Sequence, residues 1–570
     1  MAQVPSMQAA VDVMESEGVD VVFGIPGAAI LPLYKSLQTS SIRHLTVRHE
    51  EGGTHAADGW ARATGKVGVC MGTSGPAGTN MITGLYTAQA DSIPIICITG
   101  QAVRDKLHQE AFQAVDIVEI ARPVTKWAVQ VKEAAQIPWI FRKAFQIARS
   151  GRPGPVLIDI PLDVAKQQIE WEKGLDSPLP LDQVGPNPKA LERTLDLISQ
   201  AERPLLLAGG GVILANASQE LYELAELLSI PVQITLMGKG AFPEEHELFA
   251  GMTGIQTQQR WGNKSFLESD LVLALGARFG DRHTGDLETY RKGRKFIHVD
   301  IEPTQLGKVF PPDLGIVSDT KLFLQALLKE AKNRQRKDNS TWIERISHLK
   351  QTMGRRDDFD DTPIKPPRVF REINQAFDQD TTFVTAIGLY QIWSGQFQTI
   401  SKPRKYLVCG QAGPLGWEVP AALGVKCAKP NEEVVAVVGD YSFQFLMEEL
   451  AVGAQYNIGF VIVMLNNEYL GLIRQSEISY DMNFAVDLHY DKNGVDHVKL
   501  MDAFGCPAKR VIEPQDIAPA LQWAKTEAKR LQLPVLVEIM IEREANAAMG
   551  TSISTIVEFE PVPELSTANS

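Results

Sequence analysis

The sequence predicts an α/β protein of three doubly wound parallel-sheet domains, and three observations carry that prediction. First, strand-sized runs without charged interruptions recur along the chain: VGVCMG, IPIICITG and PGPVLIDIP early, PLLLAGGG, LVLALGA and KFIHVDI in the middle, VVAVVGD, FVIVMLNN and PVLVEIMI late. Runs apolar on both faces are what strands buried within a parallel sheet look like. Second, the intervals between them are helix-sized, as strand–helix–strand crossovers require. Third, 570 residues exceed what one core supports and point to about three to four domains.

Taken in order, the first three runs place a domain over residues 1–165. The polar, proline-bearing stretch 166–188 reads as a linker, and the middle runs define a second domain over 189–335. A charged stretch, 336–367, reads as a second linker before a third domain over 368–545. After Arg543 the strand pattern is lost, which leaves 546–570 as a tail. No short-period repeat is visible.

Composition narrows the function. Apolar residues at 44% and charged residues at 22% are ordinary for a folded soluble chain, and a net charge of −13 argues against nucleic acid as a partner. The five cysteines are scattered, with no C-x-x-C pair, so neither a disulfide framework nor a zinc knuckle is expected. The amino-terminal residues lack a basic and then apolar leader, and no apolar run is long enough to span a bilayer. The expectation is a cytoplasmic protein without membrane partners.

Two windows carry chemistry. VRHEEGGTHAADGW (47–60) sets two carboxylates between two histidines, but His49 and His55 are six apart, about 240° around a helix, and Gly52-Gly53 is expected to break the turn. A zinc helix is therefore not expected, and Glu50 needs another explanation. In 434–475 a buried strand ends in Gly439-Asp440, a helix follows, and a second buried strand ends in Asn466-Asn467. Both polar ends emerge at the carboxyl edge of a parallel sheet, where open α/β folds bind ligands. A carboxylate, an amide oxygen and nearby carbonyls are hard donors suited to Mg²⁺ on a diphosphate.

This window resembles the G-D-x…N-N signature of the thiamine-diphosphate (ThDP) enzyme superfamily, and the resemblance extends over the whole chain as pyrimidine-binding, central and diphosphate-binding domains. Where that signature commonly carries a glycine after Gly-Asp, this chain has Tyr441. The resemblance implies Mg²⁺ held by Asp440, Asn467 and the Tyr469 carbonyl, with Gly439, Tyr441, Ser442 and Leu470 around the diphosphate. It also answers the question of Glu50, because the superfamily's R-H-E glutamate bonds N1′ of the cofactor's aminopyrimidine. FGIPGAAILP (23–32), with Pro26 and Gly27, and GTSGPAGTN (72–80) look like the cofactor- and substrate-facing loops. PLLLAGGGV, TLMGKGAFPEEH, GARFGDRHTG and HVDIEPTQLG resemble the FAD-binding segments of acetolactate synthases and glyoxylate carboligases. They point to Gly210, Gly211, Thr235, Leu236, Met237, Gly254, Arg278, Arg282, Asp300, Ile301 and Asp319 around a structural, redox-silent FAD.

CGQAGPLGWEVPAALG (409–424), GDYSFQFL, NNEYLGLIRQS, DSIPIICITGQA and FQAVDI resemble the glyoxylate carboligase branch. That places Ile387, Gly388, Gln411 and Leu415 against the cofactor. Leu415, Leu472 and Ile473 would form an apolar reaction space, with Gln113 as a polar substrate partner. The reaction implied is decarboxylation of one glyoxylate and its condensation with a second to tartronate semialdehyde. Position 476, where acetolactate synthases commonly carry tryptophan, is Ser476. Glu50 points the other way, since glyoxylate carboligases commonly carry an aliphatic residue there, and acetolactate synthesis from pyruvate stays the alternative. A flavin-using oxidase or a non-catalytic cofactor-binding protein ranks behind both. Self-association with active sites at a dimer interface, and a dimer of dimers, is implied by the same resemblance.

Overall fold

The computed structural model describes residues 2–174, 177–335, 337–490 and 494–560. The apolar runs become three six-stranded, wholly parallel sheets. In the first, β1 (Val21–Gly24), β2 (Arg43–Thr46), β3 (Gly68–Gly72), β4 (Ile95–Gln101), β5 (Trp127–Gln130) and β6 (Val156–Pro161) lie in the order β2-β1-β3-β4-β6-β5. In the second, β7 (Pro204–Ala208), β8 (Val232–Ile234), β9 (Phe249–Met252), β10 (Leu271–Leu275), β11 (Lys295–Asp300) and β12 (Leu314–Val317) run β9-β8-β7-β10-β11-β12. In the third, β13 (Thr382–Thr385), β14 (Tyr406–Val408), β15 (Val434–Gly439), β16 (Val461–Asn466), β17 (Ala508–Val511) and β18 (Val535–Met540) run β14-β13-β15-β16-β18-β17. The first and third sheets thus share one strand order. The second has the order of dinucleotide-binding folds, reversing between β7 and β10.

Helices α1 (Glu50–Thr64) and α3 (Glu418–Ala428) clamp the outer domains together, with α2 (Ser340–Thr352) and α4 (Gly471–Ile478) elsewhere in the chain. Each clamping helix gives a glycine to the other's backbone. A Cβ on Gly59 would lie 2.3 Å from the Ala421 carbonyl oxygen, and one on Gly424 would lie 1.9 Å from that of Ala56. The apolar cluster around this contact takes Trp60 and Leu85 from the first domain and Trp417, Ala421 and Met464 from the third. Gly52-Gly53, expected to break the helix, lies inside it instead. Those glycines serve close approach: a Cβ on Gly52 would meet Glu449 Oε1 at 2.5 Å.

The linkers and tail are more structured than their composition implied. Within 166–188, Gln168–Trp171 pairs antiparallel with Ala2–Pro5 and closes the first domain. Within 336–367, α2 adds Trp342, Ile346 and Leu349 to the central core, and Trp342 Nε1 donates to the Pro204 carbonyl at 3.1 Å. Of the tail, 561–570 lies outside the described residues, while Met549–Ser552 and Thr555–Val557 form a hairpin that returns to the central domain. There the Gly550 amide donates to Ile255 O at 2.9 Å, and Glu558 pairs with Arg260 at 3.1 Å and Arg355 at 2.8 Å.

Candidate functional site

The carboxyl ends of β15 and β16 are adjacent because those strands pair in register, Gly439 opposite Leu465. Asp440 follows directly and is 3% exposed, with Oδ2 buried and lacking any hydrogen-bond partner among the described residues. Burial pushes its carboxyl up to about 8, against the opposing pull of backbone amides at Tyr441 and Glu468. The Glu468 amide also donates to Asn466 Oδ1 at 3.0 Å, so both strand ends converge on one tight turn, where Glu468 adopts a left-handed φ of 58°. Asn467 spends its Nδ2 on the Arg543 carbonyl at 3.2 Å, which leaves its Oδ1 as the free donor atom for a cation. Tyr469 is pinned by a bridge to Asp487 and by Arg543, 4.3 Å over its ring. An orphaned buried carboxylate oxygen, a carboxamide oxygen and a backbone carbonyl form a hard donor set that fits Mg²⁺.

The loop carrying Gln411 and Leu415 borders this turn. A Cβ on Gly413 would lie 3.4 Å from Ile387 Cβ, and the Gly416 amide donates to Ser442 Oγ at 3.0 Å. Ser442 Oγ in turn donates to Glu418 at 3.0 Å and 3.2 Å, while Tyr390 donates its hydroxyl to the same carboxylate. The Tyr390 ring covers Gly439 and Gly388, where a Cβ would come within 2.7 Å and 2.3 Å of it. Helix α4 starts against Asn467, since a Cβ on Gly471 would lie 2.9 Å from Asn467 Nδ2. It carries Leu472, which packs on the third domain's core, and Ile473, which is 53% exposed.

The first domain brings together a second group. Glu50 opens α1 with His49 as its N-cap, and its Oε2 accepts from Asn80 Nδ2 at 2.9 Å. Gly72 packs beside it, where a Cβ would sit 3.5 Å from Glu50 Cγ. The loop holding Pro26 and Gly27 touches Thr73, because a Cβ on Gly27 would approach Thr73 Cβ to 2.5 Å. Gln113, at a left-handed φ of 55°, backs the Gly75 turn, and Ser74 Oγ reaches its Oε1 at 3.5 Å. Among the described residues no hydrogen bond or ion pair joins this group to the Asp440 group.

The third group surrounds a cavity of about 390 Å³ on the carboxyl side of the central sheet. Gly210, Gly211, Thr235, Leu236, Met237, Arg278, Arg282, Asp300, Ile301 and Asp319 all line it. The glycine turn lies where the strand order reverses: the Gly209 amide donates to Leu275 O at 2.9 Å, and a Cβ on Gly211 would stand 2.6 Å from Gly276 Cα. Such a turn exposes backbone to a ligand where no side chain fits. Gly254 is the expected residue that does not line the cavity, because its peptide is held by Asn263 at 3.0 Å and 2.9 Å. Gln411, expected beside ThDP, also lines this cavity. Burial raises the Asp300 carboxyl and depresses the Arg282 guanidinium, and Asp319 caps the next helix through the Leu322 amide at 3.0 Å.

Three family models match in chain order: the thiamine pyrophosphate enzyme N-terminal TPP binding domain over residues 6–120, the central domain over 191–327, and the C-terminal TPP binding domain over 386–539. The glyoxylate carboligase of Escherichia coli O157:H7 is 50% identical over 99% of this chain and 98% of that protein. The chain belongs to the thiamine pyrophosphate enzyme family. Further relatives are a probable acetolactate synthase large subunit of Methanocaldococcus jannaschii, 40% identical over 94% of this chain and 91% of its own, and the acetolactate synthase large subunit of Corynebacterium glutamicum, 38% identical over 95% and 88%. Each match falls on one parallel sheet: the central one covers all six strands of the second sheet, the N-terminal one stops before Trp127–Gln130 and Val156–Pro161 of the first, and the C-terminal one starts just after Thr382–Thr385 of the third.

Several polar residues in this family framework escaped the sequence reading. Glu418 and Tyr390 lie under the strand end at Gly439 and the turn at Ser442, Asn80 holds Glu50, and Glu449 accepts from the amides of Arg48 and His49 at 2.9 Å each, ahead of Glu50. Burial raises both Glu418 and Glu449 to about 7. Their one legible signal was an acidic residue embedded in otherwise small or apolar sequence, GWEVPAALG and FLMEELAVG. Among the described residues no helix is long and apolar enough to cross a membrane.

Proposed function

We propose that the protein is a ThDP- and Mg²⁺-dependent carboligase that decarboxylates one glyoxylate and joins the remaining carbon to a second, giving tartronate semialdehyde and carbon dioxide. The observation that carries this reading is the half-site at the ends of β15 and β16, orphaned Asp440 Oδ2 included, in a chain 50% identical to a glyoxylate carboligase. Bound ThDP would supply an electron sink for the pair left behind when a 2-oxo acid loses carbon dioxide. This chain's residues do the rest. Asp440, Asn467 Oδ1 and the Tyr469 carbonyl would hold Mg²⁺, and Gly439, Tyr441, Ser442 and Leu470 would surround the diphosphate. Leu415, on the loop packed on Ser442, and Ile387, which faces that loop across Gly413, would support the cofactor, with Gly388 and Gln411 beside them. Glu50, fixed by Asn80, would hold a proton at its carboxylate for the pyrimidine N1′. Leu472, Ile473 and Leu415 exclude water, which favours loss of a localised carboxylate charge, and Gln113 offers its amide to the substrate.

The central cavity is read as the seat of a structural FAD. Its lining fits an anionic dinucleotide: a side-chain-free glycine turn at the strand-order reversal, arginines at 278 and 282 for a pyrophosphate, and Asp300 at a strand end for ribose. The separation of the Glu50 and Asp440 groups supports a site completed between two copies, hence a dimer that can pair into a tetramer. The exposed aromatics Phe112 at 86% and Phe445 at 41%, next to those groups, fit the same reading. Acetolactate synthesis from pyruvate is favoured by Glu50 alone. Initial rates with glyoxylate and with pyruvate, at saturating ThDP, Mg²⁺ and FAD and with products identified, decide between them. Tartronate semialdehyde from glyoxylate is expected, and acetolactate from pyruvate at the higher kcat/KM would overturn it.

A further inference from the structure

Asp91 is the last residue of the helix Ile82–Asp91, an unfavourable place for an acid because helix carboxyl ends are already negative. It is nevertheless buried and belongs to no catalytic group described above. Its oxygens reach all three domains. Oδ2 accepts from the Gly410 amide at 2.8 Å and from Arg62 Nη2 at 3.1 Å, and Oδ1 accepts from the Gln411 amide at 3.2 Å and faces Arg278 Nη2 at 3.4 Å. Arg62 is also held by Asp58 at 2.6 Å and donates to the Val408 carbonyl at 2.7 Å, so two acids and two guanidiniums balance one another. Arg278 is the exposed end of this cluster, lining the central cavity while it donates to the Ala90 carbonyl. Arg62, Asp91, Gly410 and Gln411 line the same cavity, and Gly410 and Gln411 begin the loop that carries Leu415.

We propose that Asp91 is a positioning residue that couples the central cavity to the active-site loop. A dinucleotide pyrophosphate seated against Arg278 fixes that guanidinium, and Asp91 passes the constraint to the amides of Gly410 and Gln411. The proposal rests on the flavin reading of the cavity, and it gives a redox-silent flavin a physical role, that of ordering the loop that supports the second cofactor. A carboxylate suits this role because its two oxygens accept from backbone on one side and from arginine on the other at once.

Hydrogen exchange of a peptide that begins ahead of Gly410, such as 406–416, covers the two amides, in full-length protein freed of flavin and then supplied with FAD. FAD binding is measured separately by equilibrium dialysis. In the wild type, FAD is expected to slow exchange at Gly410 and Gln411 by about tenfold or more. In Asp91→Ala, exchange is expected to be fast and independent of FAD, with kcat for glyoxylate lowered by about tenfold and KM little changed at saturating FAD. Asp91→Asn, which keeps the volume and one acceptor oxygen, is expected to fall between them and serves as the variant should the alanine protein not fold. FAD that binds without changing exchange at these amides in the wild type overturns the coupling and leaves the flavin reading standing. Equal FAD-dependent slowing in wild type and both variants does the same. FAD that does not bind the wild type removes the flavin reading and the proposal with it.

Discussion

Replacing Glu418 with glutamine should change the pH dependence of stability by an amount the structure allows to be calculated. Glu418 is 1% exposed, and burial lifts its carboxyl from the ordinary 4.5 to about 7 despite hydrogen bonds from Tyr390 and Ser442. Below 4.5 folded and unfolded chains both hold the proton, so no difference arises there. Between 4.5 and 7 the unfolded chain releases a proton that the folded chain keeps, and stability falls as pH rises through the folded value. About 2.5 decades of proton affinity at ~1.36 kcal/mol each make a total loss of ~3 kcal/mol. Glutamine stays neutral throughout and keeps an acceptor for Tyr390 and Ser442, but its amide hydrogens face no acceptor, a pH-independent cost of about 1–3 kcal/mol. Glu418→Gln should therefore be less stable than wild type near pH ~5 and equal or more stable near pH ~8.5. Thermal scans at one fixed rate, without cofactors, read the difference, because large chains commonly unfold irreversibly. A relative change of about 6–12 °C between the two pH values is expected for a domain of this size. A difference in Tm that stays constant with pH would refute the assignment of a protonated, buried Glu418.

Three other perturbations test the remaining groups. Glu50→Gln keeps an acceptor for Asn80 and should shift stability by less than ~1 kcal/mol, while carbon dioxide release from glyoxylate falls about 10²–10⁴-fold. Undiminished release would remove Glu50 from proton transfer. Gly211→Ala puts a Cβ 2.6 Å from Gly276 Cα, backbone against backbone, and should cost about 1–3 kcal/mol and, on the proposed flavin reading, abolish retention of added FAD after desalting, read by absorbance. Glu558→Ala leaves Arg260 and Arg355 short of a buried partner and should destabilise by about 3 kcal/mol, the low end for a broken buried pair because Glu560 still meets Arg260 at 2.7 Å. A Tm unchanged from wild type would show that the returning tail is not anchored there.

The sheets were legible because strands buried on both faces write themselves as apolar runs, and the polar residues that end them, Asp440, Asn467 and Asp300, follow directly. The glycine turn at 209–211 and the cavity around it were legible for the same reason. What escaped was set by contacts distant in sequence. Helix α2 looked like linker because its surface is charged, although Trp342, Ile346 and Leu349 lie at helical spacing. Gly52-Gly53 looked like a helix break because nothing local shows that Glu449, far along the chain, fills the space a side chain would take. Asp91, Glu418 and Glu449 look like ordinary surface acids, since burial of a lone carboxylate depends on which arginines, hydroxyls and amides the fold delivers to it.

The shared strand order of the outer sheets gives those acids a common logic. Helix α1 follows β2 and leads to β3, and α3 follows β14 and leads to β15, so the two helices hold equivalent places in their domains. Both begin with a buried glutamate, Glu50 and Glu418, where the positive helix end favours a carboxylate. The same position has two environments. Glu418 has both oxygens engaged by the hydroxyls of Tyr390 and Ser442 and holds up the turn at Ser442, whereas Glu50 is bonded on its carboxylate by Asn80 alone among the described residues. A carboxylate with one oxygen anchored and the other uncommitted can take a ligand, and one with both oxygens committed can only support its neighbours. The difference between the two positions therefore lies in the partners each domain brings to the first residue of its helix, and Asn80→Ala, which removes the one side-chain anchor of Glu50 at a half-buried position, should lower turnover more than it lowers Tm.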